Sequence, residues 1–487
     1  MLCTVRGTRR VQALTIAFAT LLAAAAGAEL PPEDQCPTFS GIPGGSPSED
    51  AAPVRIREGM LLRYSDMLLL GSLLPVEVWR NRDAFFHEGM RLEIGPCHRR
   101  YPVPAFFSKA TARHADQAML DADGDLEGHV AGLPFPPDGI DPEAPDAALR
   151  WAWNLERRYR GAGPSGSFRI VDMPSRVGGI QRYTGSWFFL QTAHRADLAE
   201  SDYRVPEAKR SAWIAGGRFA EPNPARHLAW KQLRPLDVAS RYAKPDDTFV
   251  YVPTMRKVRR AASGWVDGVY TPRYRVSGDS GGGGAPIGVG SELGSINPTS
   301  GESAAATENL RRGFEGLALR PNAYEWRLLD QREVLAPINI TRLGYPTEPD
   351  RNYGPSGLSA GSDRWDLRYA VVIQGALRDR GREYDLLTLY IDYQTQQPLY
   401  WITKQRQGGR LAEVGILLHR FSGDLAHYAT WPDGDEALVF DPVGAVFYDV
   451  ADGGSGWRRE SYDVKSTPPS DSEIRQLTSP GYLTRGR

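Results

Sequence analysis

The sequence predicts a mainly β, α+β fold built on an antiparallel sheet, with helices gathered ahead of it. Three observations carry that prediction. Beyond Gly179 the apolar period shifts from helical to extended. Five runs, at 368–377, 384–393, 399–404, 414–421 and 437–450, then follow one another across short polar or glycine-rich turns, the pattern of a meander. Within the second run Leu387, Leu389 and Ile391 share one face, while Tyr384, Leu386 and Tyr390 share the other. A sheet with one wet face alternates apolar with polar residues, so this sheet is expected to be covered on both. Helices cover one face in this reading. The other either packs on more protein or lines an apolar cavity.

The elements follow in order. Arg6, Arg9 and Arg10 precede an apolar stretch over 11–26, and Ala26-Gly27-Ala28 presents small residues at −3 and −1. This pattern predicts a secretory signal, 1–28, cleaved after Ala28. No later stretch is long and apolar enough to span a bilayer as a helix. Glu33-Asp34-Gln35 also lacks the apolar lead that would prepare Cys36 for lipid attachment. A soluble protein of the bacterial periplasm is expected. Residues 29–55, rich in Pro, Gly, Ser and acids, read as a mobile mature N-terminus. Ser65 and Asp66 are placed to cap a helix over 67–82 that Pro75 kinks or splits. Residues 90–94 alternate apolar and charged side chains before Gly95-Pro96 stops them. Helices are expected over 105–120 and 145–160, the second with Ala147, Ala148, Trp151 and Leu155 on one stripe. Extended runs are expected at 183–192 and 248–253. The Gly-, Ser-, Ala- and Thr-rich stretch 277–306 reads as a surface loop.

Charge and cysteines narrow the function. The formal net charge is -1, and losing three arginines with the signal takes the mature chain to -4. That balance excludes a general nucleic-acid binder. Of three cysteines, Cys3 leaves with the signal. Cys36 and Cys97 remain as an even pair in an oxidising compartment, and a disulfide between them is expected. They are too few to hold a metal, and no cofactor is implied.

Most motif-like strings lack their context. Gly278-Asp279-Ser280-Gly281-Gly282 copies an active-serine signature, and Thr192-Ala193-His194 hints at the matching histidine segment. Ser280, however, lies in a glycine run with nothing apolar to hold it still, and the chemistry needs a rigid triad and oxyanion hole. Asp121-Ala122-Asp123-Gly124-Asp125 has its glycine too early for an EF-hand and reads as an acidic turn. His87-Glu88 is half of a zincin motif, with Arg91 where the second histidine belongs. Arg256-Lys257-Val258-Arg259-Arg260 reads as a solvated strand end. No catalytic constellation is present, so the expectation is not an enzyme.

Several segments together carry a resemblance. They are Gly132-Leu133-Pro134-Phe135-Pro136, Trp153-Asn154 with Arg158-Tyr159-Arg160-Gly161, and Tyr251-Val252-Pro253. Gly313-Phe314-Glu315-Gly316, Tyr324-Glu325-Trp326-Arg327-Leu328, Pro337-Ile338-Asn339 and Gln397-Pro398-Leu399-Tyr400 follow in order. The chain resembles the exported bacterial proteins of domain-of-unknown-function family 1329, described as outer-membrane lipoprotein-sorting-like. The resemblance covers 56–465, with 277–306 as an insertion and 466–487 as a C-terminal tail. It implies a fold similar to the carriers LolA and LolB: a curved, half-open β-barrel, its mouth plugged by helices, whose concave face takes acyl chains. The leading expectation is a periplasmic carrier for a lipid or lipidated protein, its apolar groove lined by Trp187, Phe189, Leu387, Leu389 and Ile391. A non-lipid-binding accessory subunit of an envelope transporter is the second reading. A secreted hydrolase, resting on Ser280 alone, is the third.

Overall fold

The computed structural model describes residues 30–39, 54–173, 180–236, 246–253, 256–261, 268–272, 310–340, 352–378, 384, 386–405, 409–450 and 456–485. The expected signal, the loop at 277–306 and Ser280 lie outside the described residues.

In the main sheet, chain order first brings two short strands, β1 (Leu61–Leu62) and β2 (Leu92–Cys97). A first meander follows: β3 (Ser165–Met173), β4 (Gln181–Gln191), β5 (Ser211–Glu221), β6 (Ala229–Pro235), β7 (Asp247–Val252) and β8 (Lys257–Ala261). A second comprises β9 (Tyr324–Ala336), β10 (Arg364–Leu377), β11 (Leu386–Asp392) and β12 (Pro398–Lys404). It continues through β13 (Leu411–Phe421), β14 (Phe440–Asp449) and β15 (Gly456–Lys465). Within each meander, neighbours in sequence are antiparallel neighbours in space. The two halves join where β15 pairs with β3, Trp457 opposite Met173 and Lys465 opposite Ser165. β10 also takes β2 as a parallel neighbour. The product is one 15-stranded sheet, and among the described residues no ladder joins β8 to β9 to close it into a barrel.

Strand alternation sorts the side chains into two cores. On β11, Leu387, Leu389 and Ile391 enter one core and Tyr390 the other. On β12 Trp401 joins the first, Tyr400 and Ile402 the second. The helices are α1 (Val76–Arg80), α2 (Arg82–Phe85), α3 (Ala105–His114), α4 (Ala147–Arg157) and α5 (Asp471–Thr478). Trp151 and Leu155 of α4 pack into the first core. Leu70, Leu74, Val78, Phe85 and Phe86 pack into the second. Each such side chain contributes roughly 1.5–3 kcal/mol by leaving water. Both faces are therefore covered, as the two-sided apolar pattern requires.

Several local expectations are corrected. Pro75 divides the segment at 67–82 completely: a 3-10 turn, Tyr64–Leu70, comes first, and α1 starts only after the proline. Arg63, not Ser65, occupies the N-cap of that turn. β2 runs through Gly95-Pro96 instead of ending there, because its register against β10 shifts between Trp365 and Leu367, and a bulge tolerates a residue without an N–H. α3 stops at His114, and Met119–Leu120 pairs with Leu126–Glu127 across the acidic run. There Asp121 Oδ1 accepts from the backbone N–H groups of Asp123 and Asp125, which makes the run a side-chain-stabilised turn. β5 escaped the reading because Gly216-Gly217 interrupts its apolar pattern. A Cβ at Gly217 would sit 2.4 Å from the Trp230 ring, so the glycine is what lets that indole lie across the strand.

At the chain ends, Cys36 and Cys97 form the expected disulfide, and Thr38–Phe39 pairs with Val54–Arg55. The C-terminal segment holds α5, opened by a reciprocal Ser470–Glu473 capping box. Its Ile474 and Leu477 pack against Phe188 and Leu190 on β4.

Candidate functional site

The five residues expected to line a groove share one face and one core. Trp187 and Phe189 stand two apart on β4; Leu387, Leu389 and Ile391 alternate along β11. All are at most 3% exposed. The two strands lie six strand steps apart in the sheet, so the five mark opposite stretches of a long apolar floor.

Two elements cover that floor. One is α4. The other is a strap, residues 314–320, that follows the strand pair Val269–Pro272 and Leu310–Gly313. Phe314 of the strap stacks on Trp187 with ring centroids 4.3 Å apart and planes 21° apart, and its ring also meets Tyr462 at 5.3 Å. Phe314 takes φ of 53° and Gly316 φ of 84°, so the strap turns sharply in the left-handed region.

Polar clamps hold the strap. Glu460 accepts from the Phe314 N–H at 3.0 Å, and Glu156 from the Leu319 N–H at 2.7 Å. Arg234 donates to the Leu319 carbonyl at 2.6 Å and pairs with Glu156 and Asp246, both at 3.2 Å. Arg458 pairs with Glu315 at 2.7 Å.

Arg158 and Arg160, just past the end of α4, differ from these. Arg158 donates to the Leu155 carbonyl, the Gly316 carbonyl and, at 2.9 Å, Gln397 Oε1. Arg160 donates to the Leu317 and Glu156 carbonyls and lies 4.9 Å over the Phe189 ring, while its Nε has no partner among the described residues. Among the described residues, every acceptor on these two guanidiniums is thus a neutral oxygen. Burial pushes both below the ordinary arginine value, yet a guanidinium keeps its charge in a protein.

Both line a cavity of about 20 Å³, together with Glu315, Gly316, Leu317, Gln397, His419, Tyr462 and Ser466. That volume admits little more than one water molecule. His419 is 4% exposed, its Nδ1 has no partner among the described residues, and burial lowers its pKa to about 3. It presents a neutral imidazole to the cavity. The segments around Arg158, Gly316 and Gln397, quoted separately for the resemblance, converge here within hydrogen-bonding distance of one another.

The discarded motifs have other settings. His194 Nδ1 lies 3.0 Å from the Val130 carbonyl, and the ring stacks on His129 at 4.6 Å. His87 pairs with Ser359 Oγ at 2.8 Å. Arg260 of the basic cluster forms an exposed pair with Asp247. The sequence reading overlooked Arg158, Arg160 and His419 as site residues. For the two arginines the signal was a charged string, Glu156 to Arg160, closing an apolar helix and quoted for the resemblance; His419 had no such signal.

The fold and site define a class: an open, mostly β sheet protein whose apolar face is closed by a helix and a polar-clamped strap. The model of the protein family of unknown function DUF1329 matches residues 83–275 and 297–452, and the chain belongs to that family. An uncharacterized protein of Pseudomonas aeruginosa is 23% identical over 342 residues; the match covers 69% of this chain and 62% of the relative's length. Among solved structures, a DUF1329 family protein of Desulfovibrio piger aligns with a TM-score of 0.36 and 10% identity, over 70% of this chain and 98% of that one. A LolA superfamily protein of Nitrosomonas europaea aligns with a TM-score of 0.30 and 12% identity, over 69% and 98%.

Proposed function

We propose that this protein is a non-catalytic periplasmic carrier for a hydrophobic ligand, a lipid or a lipidated protein. The floor from Trp187 and Phe189 to Leu387, Leu389 and Ile391 takes the acyl chain once the strap and α4 shift. The observation that carries this reading is the manner of closure. A permanent core needs only apolar packing to close it, whereas this strap, besides packing Phe314, Leu317 and Leu319 into the core, is tied down by buried arginines and carboxylates. Such ties release only to a ligand that brings oxygens of its own, because a buried donor left without an acceptor is costly. A single acyl chain supplies roughly 0.8 kcal/mol per buried CH₂, enough to compete with a small plug. The disulfide accords with an oxidising compartment.

Native mass spectrometry and lipid extraction of periplasmically produced protein test the proposal, together with titration of a fluorescent acyl probe. Co-purifying lipid and saturable probe binding are expected. A protein free of lipid that ignores the probe would refute it. The small cavity and filled floor favour a second reading, an accessory subunit that docks an envelope transporter and carries no ligand. In that case cross-linking in envelopes captures a specific transporter while the probe stays unbound.

A further inference from the structure

Among the described residues, no carboxylate accepts from either of two positive charges at the cavity, Arg158 and Arg160. Glu156, the nearest acid in sequence, spends its oxygens on Arg234 and the Leu319 N–H. Glu315 at the cavity wall is paired with Arg458 through Oε1, while its Oε2 is buried with no partner among the described residues. Buried charge without a counter-charge is costly unless something else compensates it. Arg158 and Arg160 meet only amide-type oxygens, and a guanidinium carries five N–H donors. The Arg160 Nε and the His419 Nδ1 add unpartnered polar atoms in the same place.

We propose that this cavity is the oxyanion site of the carrier, taking a phosphate- or carboxylate-type headgroup on Arg158 and Arg160. The inference rests on the carrier reading only for the acyl chain attached to that headgroup. The strap is then an internal stand-in for the ligand. Its Gly316 and Leu317 carbonyls take the donors that headgroup oxygens would take, and its Phe314 ring covers Trp187 where an acyl chain would lie. Charged acceptors form stronger hydrogen bonds with guanidinium than neutral carbonyls do. An anionic amphiphile therefore displaces the strap, and an uncharged one of equal chain length competes poorly.

The test compares monododecyl phosphate, uncharged 1-O-dodecylglycerol and inorganic phosphate, all below micellar concentration. Displacement of a fluorescent acyl probe gives affinity, and hydrogen exchange at the strap amides reports its release. The expectation is at least tenfold tighter binding of monododecyl phosphate than of dodecylglycerol, with faster exchange over 314–320. Arg160→Gln abolishes the preference, bringing the two amphiphiles to equal affinity whatever the lost tie to Leu317 does to both, and Arg160→Lys keeps part of it. Equal affinities in the unmutated protein overturn the oxyanion site and leave the carrier standing, a comparison that holds even if the variants fail to fold. If neither amphiphile binds but inorganic phosphate speeds strap exchange through Arg160, the acyl carrier falls and free phosphate is the ligand. No response to any of the three sinks both.

Discussion

Replacing Phe314 with alanine separates a plug from an ordinary piece of core. The ring is 1% exposed, stacks on Trp187 at 4.3 Å, and meets Tyr462 at 5.3 Å and Phe168 edge-on at 5.9 Å. Removing a ring so enclosed costs about 3–5 kcal/mol, which combines lost transfer energy with the void left behind. The strap's backbone ties to Glu460, Glu156 and Arg234 do not involve the ring and should survive. Urea unfolding should therefore show the full packing loss. If Phe314 holds the floor shut, the same substitution removes an internal competitor. The apparent Kd is the intrinsic Kd divided by the fraction of molecules that are open, so each 1.4 kcal/mol taken from closure tightens acyl-probe binding about tenfold. Loss of stability with tighter binding is the expected pair of results. A loss of 3 kcal/mol or more with unchanged probe affinity would refute the plug and make Phe314 a core residue only.

The remaining predictions concern the frame. Cys97→Ser opens a linkage between residues 61 apart. The loop-closure model puts its stabilisation at about 4 kcal/mol, which chemical denaturation of wild type and variant should reveal. Asp441 is buried, accepts from Tyr428 and Ser466, and burial pushes it from its ordinary 3.8 up to about 7. The folded state thus holds a proton that the unfolded chain releases, so this group's contribution is full below pH 3.8 and lost as pH rises through 7. Asp441→Asn should remove a one-proton dependence between pH 4 and 7, and parallel stability–pH curves for the two proteins would exclude it. Gly217→Ala should cost about 1–3 kcal/mol, because the new methyl meets the Trp230 ring. A neutral effect on the thermal midpoint would show that the indole can move aside.

Much of the second meander was legible from the chain alone. β11 and β12 carry no glycine and are joined only by 393–397, so there local pattern and final pairing agree. β5 was not legible, since Gly216-Gly217 answers to Trp230, a residue on the next strand. The helix at 105–120 was drawn too long for a similar reason. Its last residues pair across the acidic turn instead, with Met119 opposite Glu127.

The candidate site divides along the same line. The sequence by itself determined that Leu387, Leu389 and Ile391 share a face, because a strand's side-chain period is two and needs no partner to be read. It also marked Cys36 and Cys97 as a pair, since parity and compartment suffice for two cysteines. Only the tertiary structure decided that Trp187 and Phe189 belong to the same core, six strand steps away. It alone placed Arg158 and Arg160 inside the molecule. A run of charge ending a helix is normally solvated, and what buries this one is a strap about 155 residues further along the chain. Burial depends on such distant partners, so a window of sequence reports the charge but not its surroundings.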